Sequence, residues 1–352
     1  MPVHRIAIAT ESKYVEKKPW DEDGWLKAAL EGRGHTVDII DWMDDSINVQ
    51  DYDAIFVSST WNIPDAPSQF EDWLKRCEIG KPRLINPYAV LAEGIKKYDY
   101  MGLLLKQFGE VESDDGSIVP TRFYTVSPPP RGVYNLETLN GRTLEQILET
   151  LDKTDLWRGK DIVLKPATSA DGKHTYVYNR SGNDVMVKAE YKDRILTTLR
   201  EAEAEFDRIM QDPNSNGIMV QVYMPAVENG EYSLTFFDGQ FSHAVQKPPG
   251  FRADNSNLRR LRKPDEIMLA FAMRAMQYIC DKFEVETLTR CRVDLFYGDN
   301  RCPILCELEF VDPNMNIKRV NEELGEAKRN EVVSNLADAI ERRTRELASA
   351  AP

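Results

Sequence analysis

Hydrophobic and polar positions along the first 90 residues alternate between two periods. Four short apolar runs, typical of buried parallel strands, lie at residues 6–9, 37–40, 54–57 and 83–87. Two stretches with the 3.6-residue spacing of amphipathic helices lie at residues 24–30 and 70–74. Because alternating strand and helix patterns are typical of βαβ units, the sequence predicts an N-terminal α/β domain with a parallel sheet over residues 1–88.

The next segment is predicted to connect two parts of the protein. Apolar residues at helical spacing, including Val90 and Leu104, predict a single helix over residues 89–107 that carries Lys96 and Lys97. An acidic stretch follows at 109–116 and is typical of an exposed insert. Residues 89–119 are therefore predicted to form a connecting helix and an insert.

From Pro120 onward the pattern predicts a larger unit of mixed strands and helices. Strands are predicted at residues 162–164, 175–178, 218–223, 232–237, 240–245, 290–296 and 303–310. Helices are predicted at residues 143–151, 193–210, 264–283 and 321–348. The turn Asp238-Gly239 joins two strands into an antiparallel hairpin, which indicates an α+β arrangement.

Composition excludes several classes of protein. A chain of 352 residues is long enough for two or three domains, and 42% hydrophobic with 29% charged residues is the balance of a globular enzyme. The net charge of −13 would repel a polyanion, so nucleic acid is not an expected partner. A small anion such as a nucleotide stays compatible, since a few basic residues and a divalent cation can reverse the local field.

Cysteine and histidine usage narrows the chemistry further. Five cysteines are too few for a disulfide framework, so a reducing, cytoplasmic location is expected. None of the four histidines forms a His-Glu-x-x-His motif, which disfavours a zinc hydrolase. The N-terminus runs directly into an apolar strand, and Arg274 interrupts the most apolar later stretch, so no secretion signal or membrane span is predicted.

Two common nucleotide motifs are absent from the sequence. The nearest candidate for a P-loop ends in Gly172-Lys173-His174, but Ala167 stands where the first glycine belongs and no hydroxyl follows the lysine. Residues 7–14 contain no glycine, so the first strand is not followed by a dinucleotide-binding fingerprint.

Acidic residues alternate along two predicted strands near the C-terminus. Side chains of a strand face the same side at every second residue, so Arg292 shares a face with Asp294, and Glu307 shares a face with Glu309. Like charges this close require neutralising cations, and oxygen ligands suit magnesium bound to phosphates. The alternative is a solvated face of an edge sheet, but the apolar neighbours, such as Val293 and Leu308, favour central strands.

Three further residues have both a functional and a structural interpretation. Lys165 ends an apolar strand before the turn 168–173, which can fold over phosphates, although a surface lysine beside a hairpin turn is the commoner arrangement. Glu231 either accepts hydrogen bonds from a sugar or is an exposed strand-end carboxylate. His243 is interpreted as a packed residue rather than a general base.

Several short motifs occur in a characteristic order. They are Lys97, VLKPA at 163–167, QVYMP at 221–225, GEYSL at 230–234, FSHAVQK at 241–247, RVD at 292–294 and ELE at 307–309. In this order the chain resembles the ATP-grasp superfamily over nearly its whole length. It is most similar to the branch that holds glutathione-synthetase-like ligases and the cyclo-ligase of D-cycloserine biosynthesis.

The resemblance implies a fold and a domain organisation. It implies an ATP-grasp fold in which the N-terminal parallel-sheet α/β domain precedes two α+β lobes that enclose the nucleotide. The small lobe, with a lid over the phosphates, would occupy residues 120–220. The large lobe, with the magnesium site, would occupy residues 221–352.

The resemblance also implies roles for individual residues. Contacts to ATP are implied for Lys97, Lys165, Ser169, Gly172, Gln221, Tyr223, Met224 and Glu231. Magnesium ligands would be Asp294, Glu307 and Glu309, and the groups at the reacting centre would be Arg292, Lys247 and Arg252. Asn314 or Asn316 would line the acceptor pocket. Lys96 is an alternative to Lys97, and many relatives have Asn where Glu309 stands.

The implied activity is that of an ATP-dependent ligase that joins a small carboxylic acid to an amine through an acyl phosphate. The cofactors would be ATP and Mg²⁺, and the partners would be small molecules. A small-molecule kinase and a non-catalytic nucleotide-binding regulator are the alternatives. The sequence leaves open both substrates, which loops such as 58–64, 248–257 and 312–317 would select, and whether the ligation is intramolecular. Homodimers are common among such ligases, so a homodimer is also an open expectation.

Overall fold

The computed structural model describes residues 3–16, 19–110, 116–126, 136–170, 172–183, 194–247 and 260–349. Within these ranges the strands form one four-stranded sheet and two six-stranded sheets. Each sheet belongs to a different stretch of the chain, apart from one short strand that joins the last sheet from the connecting segment.

The first sheet is parallel, as the sequence predicts. Its strands are β1 (Arg5–Thr10), β2 (Thr36–Asp41), β3 (Ala54–Val57) and β4 (Leu84–Ile85), in the order β2-β1-β3-β4. The helices are α1 (Ser12–Glu16), α2 (Asp21–Glu31) and α3 (Pro67–Cys77). The central strands β1 and β3 are buried along almost their whole length, because helices cover both faces of a parallel sheet.

The predicted helix over residues 89–107 is wrong in one respect, since the chain forms two helices. These are α4 (Tyr88–Gly94) and α5 (Lys97–Phe108), and Lys96 between them is extended. The backbone at the break is bound elsewhere: the Lys97 N–H donates to the Ala167 carbonyl at 3.0 Å, and the Thr168 hydroxyl donates to the Ile95 carbonyl at 3.1 Å. Helical hydrogen bonds give way to these tertiary ones, which fix the position of Lys97.

The second sheet is mixed, and it contains the strands predicted on either side of the turn 168–173, which form a hairpin. After β5 (Ser117–Ile118), its strands are β6 (Thr121–Thr125), β7 (Leu136–Thr138), β8 (Ile162–Pro166), β9 (Tyr176–Tyr178), β10 (Ile195–Leu196) and β11 (Ile218–Val222), in the order β10-β9-β8-β11-β6-β7. The helices α6 (Leu144–Leu151) and α7 (Leu199–Gln211) accompany it. Strands β8 and β9 are antiparallel, as predicted.

Helix α7 begins later than the predicted residue 193. Thr198 accepts a hydrogen bond from the Glu201 N–H, and Glu201 reaches back to the Thr198 N–H, which is a capping box. Ile195, predicted on the hidden face of this helix, instead lies in β10 and pairs with Val177. The cap and the strand pairing together override the helical periodicity of this segment.

The third sheet holds most of the predicted site. Its strands are β12 (Glu231–Phe237), β13 (Gln240–Lys247), β14 (Arg260–Leu261), β15 (Arg290–Tyr297) and β16 (Pro303–Glu309), and with β5 they follow the order β14-β13-β12-β15-β16-β5. The helices are α8 (Glu266–Lys282) and α9 (Ile317–Ser349). Helix α9 starts four residues before the predicted 321, and Gly325 interrupts it with φ 83° and ψ 176°.

Helix α9 packs against the N-terminal domain rather than against its own sheet alone. Its Leu336 and Ile340 share a buried cluster with Leu26 and Leu30 of α2 and with Ile8 of β1. The C-terminal element therefore covers one face of the first sheet.

Within the described ranges, no helix is both long enough and apolar enough to cross a membrane.

A matched pair of glycines tests how tightly the connecting helices pack on the site. A Cβ at Gly94 would lie 2.5 Å from side-chain atoms of Phe310 and Val311, whereas a Cβ at Gly24 would meet only Pro19, at 3.9 Å. We expect Gly94→Ala to lower the free energy of unfolding by about 1–3 kcal/mol, since overpacking forces buried side chains to move. Gly24→Ala should raise it by up to about 1 kcal/mol, because alanine favours the helix. Urea titration measures both, and equal effects would contradict the packing described.

Candidate active site

A cleft of about 460 Å³ brings the predicted site residues together. Eleven of them line it, namely Lys97, Lys165, Ser169, Gly172, Glu231, Lys247, Arg292, Asp294, Glu307, Glu309 and Asn314. The N-terminal domain also contributes to the wall, through Trp61, Ile63 and Pro64. The cleft therefore lies where all three parts of the protein meet.

Strand register explains why the charged residues converge. In β15 and β16, Arg292 lies opposite Glu309 and Asp294 lies opposite Glu307. In the neighbouring hairpin, Glu231 of β12 lies opposite Lys247 of β13. Because β12 pairs with β15, the charges occupy one face of four adjacent strands.

The buried Arg292–Asp294 pair is at the centre of this face. Arg292 Nε donates to one oxygen of Asp294 at 2.9 Å and Nη2 donates to the other at 2.8 Å, which is a bidentate pair. Burial alone would raise the pKa of Asp294, but Arg292 and Lys247 hold it well below its usual range. Burial alone would lower the pKa of Arg292, but Asp294 and Glu309 hold it above its ordinary value. Both groups are therefore charged at neutral pH.

Lys247 connects the pair to the neighbouring hairpin. Its Nζ lies 2.8 Å from Asp294 and 2.7 Å from Glu231. Burial lowers the pKa of Lys247, but the two carboxylates more than compensate, so the pKa is raised. The ammonium is thus held between two strands at the base of the cleft.

The two glutamates of β16 differ in their partners. Lys97 Nζ lies 2.7 Å from Glu307 and 3.0 Å from the Ser169 hydroxyl, so it joins the large sheet to the turn after β8. Burial raises the pKa of Glu307, but Lys97 and Lys165 hold it below its ordinary value. Burial and the neighbouring carboxylates raise the pKa of Glu309 to about 7, although Arg292 lies 2.7 Å away.

Lys165 differs from the other two lysines of the cleft, Lys97 and Lys247. Its side chain lines the cleft and makes no hydrogen bond or ion pair within the described part of the chain. Burial and the nearby charge of Lys97 lower its pKa. An ammonium group in this position is stabilised by an anion that enters the cleft.

The turn after β8 lines one side of the cleft, through Ser169 and Gly172. Gly172 adopts φ +64°, and its carbonyl accepts a hydrogen bond from Arg194 Nη1 at 2.8 Å. Arg194 also lines the cleft, although no local pattern in the sequence identified it. Arg194 lies directly before β10. Because the sequence predicted a helix from residue 193, it did not indicate that Arg194 reaches this turn.

The donor set for magnesium is all oxygen, but one member is already saturated. Asp294 accepts four hydrogen bonds, from Ser233, Lys247 and two nitrogens of Arg292, which uses the lone pairs of both oxygens. Among the described residues, no group of three acidic, thiol or imidazole side chains is arranged to hold a metal ion. Glu307 and Glu309 fit such an ion directly, whereas Asp294 fits only if it loses a hydrogen bond.

Four predicted site residues lie away from the cleft. Gln221 is buried and donates to the Thr121 hydroxyl at 3.0 Å, and the Tyr223 hydroxyl donates to Glu228 at 2.8 Å. Met224 packs on the apolar clusters of the second and third sheets. Asn316 is buried and donates its N–H to Asn314 Oδ1 at 2.9 Å.

Two further basic residues, Arg252 and Lys96, were considered for the site. Arg252 lies outside the described residues. Lys96, the alternative to Lys97, forms an ion pair with Glu71 at 2.8 Å and does not line the cleft.

His243 is a neutral, packed residue at the edge of the site. Its Nε2 lies 2.7 Å from the Met315 carbonyl, which can only accept, so Nε2 carries the proton. Burial lowers the pKa of His243 to about 4. It does not line the cleft, which agrees with its interpretation as a structural residue.

Solved structures identify the fold. A D-alanine–D-alanine ligase from Bacillus anthracis complexed with ATP matches 99% of both chains at 11% identity, with a TM-score of 0.57. A RimK domain ATP-grasp protein from Sphaerobacter thermophilus matches 95% of this chain and 98% of its own at 14% identity, with a TM-score of 0.57. The chain therefore has the ATP-grasp fold, which confirms the predicted fold class.

Further comparisons point to one branch of the superfamily. The family model for the N-terminal domain of D-cycloserine synthetase DcsG matches residues 6–86. The cycloserine biosynthesis protein DcsG of Streptomyces lavendulae is 23% identical over 292 residues, which are 81% of this chain and 84% of that protein. The crystal structure of D-cycloserine synthetase DcsG covers 97% of this chain and 99% of its own at 21% identity, with a TM-score of 0.74. The chain thus has the ATP-grasp fold and is similar to the D-cycloserine synthetases, and the predicted resemblance is confirmed.

The neutral state of His243 has a consequence for stability. In the unfolded chain its imidazole takes up a proton near pH 6.5, whereas the folded protein keeps it neutral down to about pH 4. Relative to His243→Gln, the wild type should therefore lose about 3 kcal/mol of unfolding free energy between pH 7 and pH 4. Urea titrations of both proteins across this range measure the difference, and parallel pH profiles would show that the folded imidazole takes up its proton at the same pH as the unfolded one.

Proposed function

We propose that this protein is an ATP-dependent carboxylate–amine ligase. It activates a small amino-acid-like carboxylic acid as an acyl phosphate, joins it to an amine, and releases ADP and phosphate. The observation that carries the proposal is Lys165, which lines the same cleft as Arg292 in an ATP-grasp fold and has no hydrogen-bond or ion-pair partner among the described residues. The similarity to D-cycloserine synthetases and D-alanine–D-alanine ligases supports the same reaction type.

The nucleotide is proposed to lie with its phosphates between the lysines. Lys165 and Lys97 neutralise the phosphate oxygens, and the turn with Ser169 and Gly172 covers them. Glu231 accepts hydrogen bonds from the ribose. Gln221, Tyr223 and Met224 lie outside the cleft of the unliganded protein and are proposed to border the adenine, where β11 ends. Strand β11 pairs with β8, the strand of Lys165.

Magnesium is the proposed second cofactor. Glu307 and Glu309 would hold the ion, with Asp294 joining them once Lys247 or Arg292 releases an oxygen. When bound, the ion neutralises charge on the phosphates.

The reaction follows from the positions of the cations. A carboxylate oxygen of the substrate attacks the terminal phosphorus of ATP, a new P–O bond forms, and ADP leaves. Lys247 steadies the transferred phosphoryl group, as does Arg252 in the proposed scheme. The amine lone pair then attacks the acyl carbon, Arg292 stabilises the oxyanion, and the C–O bond to phosphate breaks. The nitrogen finally releases its proton to solvent or phosphate.

The substrate end of the cleft is proposed to include Asn314, whose backbone carbonyl accepts from Arg292 Nη1 at 3.0 Å. Ligation to a second molecule and cyclisation within one molecule are both consistent with this geometry. A cytoplasmic location and a homodimer are part of the same proposal.

Hydroxylamine trapping tests the reaction directly. We expect the wild type to form hydroxamates from some members of a panel of D- and L-amino acids, only when ATP and Mg²⁺ are present. Lys165→Met should lower this rate by at least about a hundredfold, since it removes charge stabilisation of the phosphoryl group. The ferric hydroxamate colour and ADP release measure the two products.

The alternatives give different outcomes in the same assay. A kinase would release a stable phosphorylated product with no need for a second nucleophile. A nucleotide-binding regulator would bind ATP without turnover, and Asp294→Ala would leave its function unchanged. Absence of any ATP-dependent hydroxamate from the panel would count against the ligase.

Neighbouring lysines offer a matched control for nucleotide binding. Lys97 lies in the cleft beside Ser169, whereas Lys96 faces Glu71 on the outside. We expect Lys97→Met to raise the KM for ATP by roughly tenfold or more, and Lys96→Met to change it less than about twofold. Initial rates at varied ATP concentration decide this, and the reverse order would assign the phosphate contact to Lys96.

A further inference from the structure

We propose that Glu22 and Asp23, two adjacent carboxylates of the N-terminal domain, are positioning residues for the substrate end of the cleft. The inference rests on the proposed ligase function and deepens it. It explains how a domain without any of the predicted nucleotide contacts takes part in the reaction. Neither residue lines the cleft, so both act through the segments that they hold.

The burial of this pair is unusual for its position. Both residues lie in the first turn of helix α2, yet Glu22 is 7% exposed and Asp23 is 2% exposed. Adjacent buried carboxylates are unfavourable unless each is bound by several donors. Their partners therefore show what the arrangement is for.

Glu22 binds the start of helix α9. Its two oxygens accept hydrogen bonds from the backbone N–H groups of Met315, at 3.3 Å, and Lys318, at 3.2 Å. These N–H groups flank the first residue of α9, where no helical carbonyl is available to accept them. A side chain of one domain thus caps a helix of another and fixes the segment that precedes it.

Asp23 binds a second segment through two side-chain hydroxyls. The Ser58 hydroxyl donates to one of its oxygens at 2.6 Å, and the Ser59 hydroxyl donates to the other at 2.7 Å. These serines follow strand β3 directly and precede Trp61, which lines the cleft.

Arg290 joins the two segments from the large sheet. Its Nη2 donates to the carbonyls of Val57, at 2.6 Å, and Val311, at 2.8 Å. Arg290 is 2% exposed and lies two residues before Arg292 on the same strand. Arg290 therefore links both segments to β15, the strand that also carries Arg292.

The two segments meet again inside the cleft. Trp61 Nε1 donates to the Asp312 carbonyl at 2.9 Å, and the Thr60 hydroxyl donates to the Asp312 carboxylate at 3.1 Å. Two residues later, the Asn314 carbonyl accepts from Arg292. The wall formed by Trp61, Asp312 and Asn314 is therefore held at both ends, by Glu22 with Asp23 on one side and by Arg292 on the other.

Among the described residues, the three lysines proposed to face the phosphates make no direct hydrogen bond or ion pair with this network, and Lys247 reaches it only through Asp294, which binds Arg292. Lys97, Lys165 and Lys247 bind groups of the second and third sheets or have no partner among the described residues. Displacing the wall should therefore change how the carboxylic acid lies relative to Arg292 and leave nucleotide binding intact. This split separates a positioning role from a general loss of stability.

The test uses Glu22→Gln, since glutamine has one oxygen acceptor and an NH₂ group that cannot accept an N–H. Assays at pH 8 keep the wild-type carboxyl ionised, because burial raises the pKa of Glu22 to about 7. With hydroxylamine as the amine and the amino acid that reacts fastest with the wild type, kcat/KM for that acid should fall roughly tenfold or more. The KM for ATP should change less than about twofold. Ser59→Ala, a milder change, should shift the acid parameters several-fold in the same direction.

The chain offers a matched control in Glu341. It is also a buried glutamate that joins the N-terminal domain to α9, since it accepts from His35 at 2.8 Å and Arg33 at 3.0 Å. It lies at the far end of that helix and away from the cleft. Glu341→Gln should lower the thermal midpoint as Glu22→Gln does, but leave the kinetic constants of both substrates within about twofold.

Hydrogen–deuterium exchange of the unliganded proteins supplies a measurement that does not depend on turnover. Glu22→Gln should speed exchange in residues 312–318, and Glu341→Gln should not. If the wild type makes no hydroxamate, the ligase proposal fails and the exchange data still decide whether Glu22 holds this segment. Equal kinetic losses in both glutamine variants, unchanged acid kinetics in Glu22→Gln, or unchanged exchange at 312–318 would each overturn the positioning role.

Discussion

The structure of the cleft depends on the balance of buried charge around Asp294. A carboxylate that is 3% exposed is costly unless its lone pairs are used, and Arg292, Lys247 and Ser233 use all of them. Removing one partner would leave a buried charge unpaired, so these residues stabilise one another as a group. Because they belong to β12, β13 and β15, the balance also fixes the register of three neighbouring strands.

The sequence predicted this charged face because its cause is local. Alternation along a strand places Arg292 with Asp294 and Glu307 with Glu309 whatever the rest of the chain does. The hairpin that places Glu231 opposite Lys247 also has a local cause, since Asp238-Gly239 predicts its turn. Features that depend on distant partners were not predictable, such as the break before Lys97, which exists because Ala167 and Thr168 bind the backbone there.

The N-terminal domain shows the same limit more strongly. Its parallel sheet followed from alternating apolar periods, but nothing near Glu22 in the sequence indicates that it caps a helix almost 300 residues away. The apolar pattern predicted α9 from residue 321, whereas the helix starts at Ile317. The Lys318 N–H in its first turn has no helical carbonyl to bind, and Glu22, a carboxylate from another domain, accepts it.

The paired state of the cleft also indicates how nucleotide binding and metal binding depend on each other. Lys97 neutralises Glu307 at 2.7 Å, so it can turn to a phosphate only if another cation takes its place beside that carboxylate. A divalent ion that arrives with the triphosphate supplies this replacement, whereas a free nucleotide does not. Lys165 has no such constraint, because no described carboxylate holds it. The first anion contact is therefore expected at Lys165, and engagement of Lys97 should follow only when metal and nucleotide enter together.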